Sequence, residues 1–137
     1  MQDIIRLFIC IAGLLTATTG ATGVIDSDPY KKDRALFLKA DKALDENRLG
    51  NYRQLAGELT DYPLYPYLQF KELRRRLKQA DPDDITAFIE QHENDPLGWR
   101  LRQSWLYSLA KQRDWPQFLE AWRDQQPVKL QCYKLQA

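Results

Sequence analysis

Three of the chain's seven prolines follow an aspartate: Asp28-Pro29, Asp81-Pro82 and Asp95-Pro96. No other feature restricts the fold as strongly. An aspartate at the N-cap accepts an orphan backbone N–H, and a proline at the first helical position has no N–H to lose. Each dipeptide therefore marks a helix start, and Asp114-Trp115-Pro116 and Pro127-Val128 mark two more. The first helix is expected from Pro29 to about Asn47, burying Tyr30, Phe37, Ala40 and Leu44, with Leu49-Gly50 as its stop. A second is expected from Tyr52 to Leu59, with Tyr52, Leu55, Ala56 and Leu59 on one face.

The link that follows, DYPLYPYLQF at residues 61–70, is unusual for its two prolines and three tyrosines. Pro63 and Pro66 disfavour helical angles at Tyr62 and Tyr65, so the chain should stay extended or turned until Pro66. A third helix then presents Tyr67, Phe70, Leu73 or Arg74, and Leu77. The stiff link suits a bend, with Tyr62, Leu64, Tyr65 and Tyr67 filling the wedge between successive helices. Further along, the inner faces should be Ile85, Phe88, Ile89 and His92 in a fourth helix and Trp99, Leu101, Trp105, Leu106, Leu109 and Ala110 in a fifth. Phe118, Leu119 and Trp122 serve a sixth, and Leu130, Tyr133 and Leu135 a seventh.

No stretch alternates apolar and polar residues long enough for a strand, and no Asn-Gly or Asp-Gly hairpin turn is present. The fold class is therefore all-α. Helices of about 10 to 18 residues on short links imply antiparallel helices stacked as the start of an α-superhelix, a helical-repeat solenoid, although no strict sequence period runs through the chain.

The first residues have a different logic. Arg6 precedes the apolar run LFICIAGLL and the small-residue stretch TATTGATG, the layout of a secretory signal peptide. The run is well short of the roughly 20 apolar residues a membrane span needs. The expected organisation is a signal peptide at 1–21, a short linker at 22–28 and a helical domain at 29–137. Export places the chain in an oxidising compartment and removes Cys10 with the leader. Cys132 is then left alone in the mature chain, so its partner is either another molecule or a cysteine beyond Ala137.

Candidate chemistry is thin. Glu90, His92 and Glu93 put an imidazole between carboxylates, but residues two or three apart on a helix point in different directions, and no second His or Cys lies at ligand spacing. An ordinary helix end outweighs a metal or proton-transfer site. Catalytic, cofactor and metal residues are accordingly none. Lys71, Arg74, Arg75, Arg76 and Lys78 form a basic run interrupted by Glu72, Leu73 and Leu77, which reads as a solvated outer face. With a net charge of +1 the chain has no global field for nucleic acid. Trp99, Trp105, Trp115 and Trp122 sit in apolar patterns and read as core before sugar-stacking platforms.

From Tyr30 onward the order of features resembles the N-terminal helical region of the periplasmic soluble lytic murein transglycosylases. DYPLYPYLQF carries the resemblance, since a D-Y-P-L-x-P-Y-L-x-[FY] segment is typical of that family. ALDENRLGNYRQL, the RDW of Arg113 to Trp115 and the QCYK of Gln131 to Lys134 add to it. The resemblance covers nearly all of the mature chain but only the opening of the family's length. It implies a long α-superhelix followed by a lysozyme-like domain that cleaves the MurNAc-GlcNAc β-1,4 bond of peptidoglycan and leaves a 1,6-anhydro end. It also implies that Cys132 pairs with a cysteine in that continuation. The motif around the family's catalytic glutamate does not occur here, so the chain is expected to be a non-catalytic scaffold. Its expected partners are glycan strands and a catalytic domain in cis, its location is periplasmic, and no stable membrane insertion is expected. The rival reading is a free-standing periplasmic interaction module that binds proteins along a helical groove.

Overall fold

The computed structural model describes residues 28–137, so the expected signal peptide and all of the linker except Asp28 lie outside the described residues. Among the described residues there are seven helices and no strand: α1 (Lys31–Asp45), α2 (Leu49–Gly57), α3 (Tyr65–Arg75), α4 (Pro82–Gln91), α5 (Pro96–Gln112), α6 (Trp115–Ala121) and α7 (Val128–Lys134). None of them is long and apolar enough to cross a membrane.

The aspartate caps form as expected. Asp81 Oδ1 accepts the Asp83 N–H at 3.0 Å and Asp95 Oδ1 accepts the Leu97 N–H at 2.7 Å, each just before a proline at the first helical position. Asp114 does the same for Gln117. Asp28 accepts the Tyr30 N–H, but Pro29 and Tyr30 remain a turn and α1 begins at Lys31.

Leu49-Gly50 does not stop α1. It opens α2, and the stop lies two residues earlier at Asn47, whose φ is 57°. There the Arg48 N–H reaches back to the Ala43 carbonyl and the Asn47 N–H to Leu44, the two bonds of a left-handed helix end. Asparagine tolerates that conformation better than most residues, so no glycine is needed. The link at 61–64 is turned, and α3 starts at Tyr65 with Pro66 already inside its first turn. The bias of a pre-proline residue against helical angles is overridden there.

Two apolar cores meet at α3. The first joins Ala40, Ala43 and Leu44 of α1 with Tyr52 and Ala56 of α2, then Leu59, Tyr62 and Leu68. The second gathers Leu73 with the inner faces of α4 and α5, Phe118 of α6 and Leu130 of α7. Tyr62 fills the wedge at the bend, its ring 5.7 Å from that of Tyr30 and 5.8 Å from Phe37. Leu68 is completely buried beside it, whereas Leu64 and Tyr67, expected to share the wedge, are exposed. Tyr30, Trp99, Leu119 and Leu135 also face solvent rather than the core. For Trp99 the reason lies in the periodicity: Leu97, Leu101, Trp105 and Leu109 recur every fourth residue on the buried side, and position 99 falls opposite.

The odd-numbered helices touch in series, α1 with α3, α3 with α5 and α5 with α7, while α2 packs on α1 and α4 and α6 on α5. Two sharp corners set this arrangement around α5. At the α4–α5 corner, a Cβ on Gly98 would lie 2.3 Å from the His92 carbonyl oxygen, so the helices approach to backbone contact. At the α5–α6 corner, Arg113 takes a left-handed φ of 59° and hands the chain directly to the Asp114 cap.

Candidate functional site

The corners at either end of α5 hold α4, α5 and α6 around a cleft of about 770 Å³. From α4 it receives Ile89, Glu90 and, just beyond the helix, Glu93; from α5, Arg102 and Trp105; from α6 and its end, Gln117, Glu120 and Arg123. Trp105 is buried and supplies an apolar floor. The carboxylates Asp83, Glu90, Glu93 and Glu120 stand exposed around the rim.

Arg102 is the most strongly conditioned group in the cleft. Burial pushes its pKa down, as does the Arg123 guanidinium, while Glu93 and Glu90 work in the opposite direction. It forms no ion pair within 4.0 Å among the described residues, so its donors are free toward the cleft. An apolar aromatic floor, rim acceptors and a fork of unused donors suit a polar, hydroxyl-rich chain lying along the groove.

The Glu90, His92, Glu93 triplet is divided by the helix end. Glu90 and Glu93 reach the cleft, but His92 turns to the α4–α5 corner. Its Nδ1 lies 2.5 Å from Asp95 Oδ2 and its ring packs 4.4 Å from that of Phe88. Desolvation raises the Asp95 pKa, but the His92 hydrogen bond together with the Leu97 and Gly98 N–H groups outweighs it, so the net shift is downward. His92 thus belongs to the corner that positions the cleft. Among the described residues no group of three or more His, Cys, Asp or Glu side chains could hold a metal ion.

The basic run is also divided. Lys71 bridges α3 to α1 through Asp41 at 2.5 Å and Asp45 at 2.9 Å. Desolvation works against its charge, but these two carboxylates prevail and raise its pKa. Arg76 bonds Glu72 at 2.6 Å and reaches Asp84 at 3.4 Å, tying α3 to α4. These two are structural, while Arg74, Arg75 and Lys78 do face solvent as expected. Cys132 is an exposed free thiol on α7, and its expected partner lies outside the described residues.

Sequence reasoning missed Arg102, Arg123 and Gly98. The first two sit in different elements and converge only in the folded chain. Gly98 had a local signal, a glycine in the first turn of an Asp-Pro helix where every residue but proline would propagate the helix better.

No family model matches the chain, and no solved structure matches it. Among curated proteins, it is 26% identical over 104 residues to the soluble lytic murein transglycosylases of Escherichia coli K12 and Escherichia coli O157:H7. It is 26% identical over 89 residues to that of Salmonella typhimurium LT2. The alignment to the Escherichia coli proteins takes in 76% of this chain and 16% of each relative, so the chain spans about one sixth of the length of the curated relatives it matches. The resemblance read from residues 61–70 and its neighbours is borne out at that level, as similarity to part of these proteins.

Proposed function

We propose that this chain is a non-catalytic helical scaffold of a lytic murein transglycosylase, working in the periplasm and holding a peptidoglycan strand along the cleft between α4, α5 and α6. The observation that carries the reading is the similarity over 104 residues to proteins named for acting on murein. The serial contact of α1, α3, α5 and α7, flanked by α2, α4 and α6, supports reading the stack as part of an α-superhelix. The same serial stacking also suits the rival reading, an interaction module that binds proteins along its groove.

The cleft supports binding rather than cleavage. An acid that protonates a glycosidic oxygen is held in apolar surroundings, in partnership with a second group across the scissile bond. The four cleft carboxylates are all exposed on the rim. Arg102 and Trp105 offer donors and an apolar face, which hold a saccharide without reacting with it.

The test is co-sedimentation of the full chain with purified peptidoglycan sacculi, followed by analysis of the soluble products. Retention on sacculi, weakened by Arg102→Ala and without release of anhydro-sugar ends, is the expected result. Release of such ends by the chain alone would overturn the non-catalytic assignment. Failure to sediment with sacculi would overturn the murein reading and favour a protein partner.

A further inference from the structure

A second groove, of about 270 Å³, lies between the C-terminal end of α3 and the outer face of α5. Its charged lining is entirely cationic: Arg74, Arg75 and Lys78 from the α3 side and Lys111 from α5. All four are exposed, and none has a carboxylate within 4.0 Å among the described residues. This separates them from Lys71 and Arg76, their neighbours in sequence, which are spent on internal ion pairs.

An ordinary explanation exists for basic residues here, because Arg74, Arg75 and Lys111 lie in the last turns of their helices, where cations suit the dipole. It does not balance. Two helix ends contribute about half a negative charge each, against four full positive charges, so an excess of roughly three remains. The α5 wall adds Ser104, Tyr107 and Ser108, which with Lys111 recur at helical spacing as one polar stripe facing the cations. Arg74 is held in place with its guanidinium 5.6 Å from the centre of the Phe70 ring.

We infer that this groove binds carboxylate groups of a flexible acidic peptide, the form in which the peptide arms of peptidoglycan carry negative charge. The inference rests on the murein reading for the identity of the polymer, while the anion site itself rests on the groove alone. Guanidinium forks and ammonium groups pair with carboxylates through charge-assisted hydrogen bonds, and the Tyr107 and Ser108 hydroxyls complete a partly desolvated seat, while the Ser104 hydroxyl donates to the Arg100 carbonyl. The chain's net charge of +1 is too small to hold an extended nucleic acid, which favours a short anionic segment over a phosphate polymer.

The test uses the full chain and fluorescently labelled poly-L-glutamate, read by anisotropy at low and moderate salt. The triple variant Arg75→Ala, Lys78→Ala, Lys111→Ala should bind at least about tenfold more weakly. A charge-matched control, Lys31→Ala, Lys32→Ala, Lys39→Ala, removes three exposed cations from α1 and should bind nearly as the parent does. Equal loss in both variants, or no binding by the parent, overturns the groove. Tighter binding of a single-stranded oligonucleotide or of phosphatidylglycerol vesicles through the same three residues overturns the carboxylate assignment. Sacculus co-sedimentation run in parallel keeps the two readings apart. Retention on sacculi without poly-L-glutamate binding leaves the murein reading standing and removes the groove. Poly-L-glutamate binding through the groove without retention on sacculi keeps the anion site and removes the murein polymer as its occupant.

Discussion

Replacing Gly98 by alanine should destabilise the chain, against the usual direction of a glycine-to-alanine change in a helix. In an open helical site the exchange gains about 1 kcal/mol, because alanine loses less backbone freedom on folding. At position 98 the new Cβ would lie 2.3 Å from the His92 oxygen, 2.8 Å from its carbonyl carbon and 3.0 Å from the Ile89 oxygen. All three atoms belong to backbone, so no side-chain rotation relieves the overlap. The His92 carbonyl also accepts the Asp95 N–H at 3.2 Å, so moving it disturbs the turn that carries the α5 cap. Overpacking of this kind costs about 3 kcal/mol at the upper end of its usual range, and subtracting the propensity gain leaves a net loss of about 2 kcal/mol. Gly50→Ala and Gly57→Ala are internal controls, since nothing lies within 4 Å of a Cβ at either position. The Gly50 control should gain up to about 1 kcal/mol. Equilibrium urea unfolding followed by far-UV circular dichroism would separate the variants, and the two midpoints should move in opposite directions. The reasoning is refuted if Gly98→Ala is as stable as the parent with an unchanged denaturant slope.

Three further expectations concern other parts of the fold. Arg113→Gly should raise stability by about 1 kcal/mol in the same unfolding assay, because a left-handed φ strains any residue with a Cβ; a loss would show that the arginine side chain contributes more than the strain costs. The Asp95 carboxyl has a folded pKa below its unfolded value, so its stabilising contribution is complete above the ordinary aspartate range and disappears as pH falls through the folded pKa. Acid unfolding of Asp95→Asn should accordingly lose part of that pH dependence, and an unchanged acid limb would contradict the corner geometry. Lys71→Met should cost no more than about 1 kcal/mol despite two carboxylate partners, since all three groups are partly exposed and screened; a much larger shift in the urea midpoint would mean the bridge behaves as a buried one.

What could be read locally was read from short-range chemistry. The Asp81-Pro82, Asp95-Pro96 and Asp114-Trp115-Pro116 starts all become capped helices, because a cap and the N–H donors it accepts from lie within three residues. The all-helical class followed from the absence of strand alternation and hairpin turns, which is also short-range information. The first errors arose where two local signals competed. Leu49-Gly50 looked like a stop, yet Asn47 ended α1, since either residue type tolerates the left-handed turn. Of the cleft, Glu90 and Glu93 stand out in the sequence for a triplet that the structure takes apart, while Trp105 is core, as its apolar pattern implies, and also lines the cleft.

By itself the sequence determined that the rods are helices and that Asp81, Asp95 and Asp114 cap the starts of three of them. Tertiary structure alone decided which faces meet. It placed Tyr62 and Leu68 rather than Leu64 and Tyr67 in the bend, brought Arg102 and Arg123 into one cleft, and separated the four unpaired cations from the two consumed in ion pairs. The physical reason is range. Caps and periodicity act over one helical turn, whereas a cleft depends on the angles at which helices cross, and those are set by contacts such as Gly98 against the His92 carbonyl that exist only after the chain has packed.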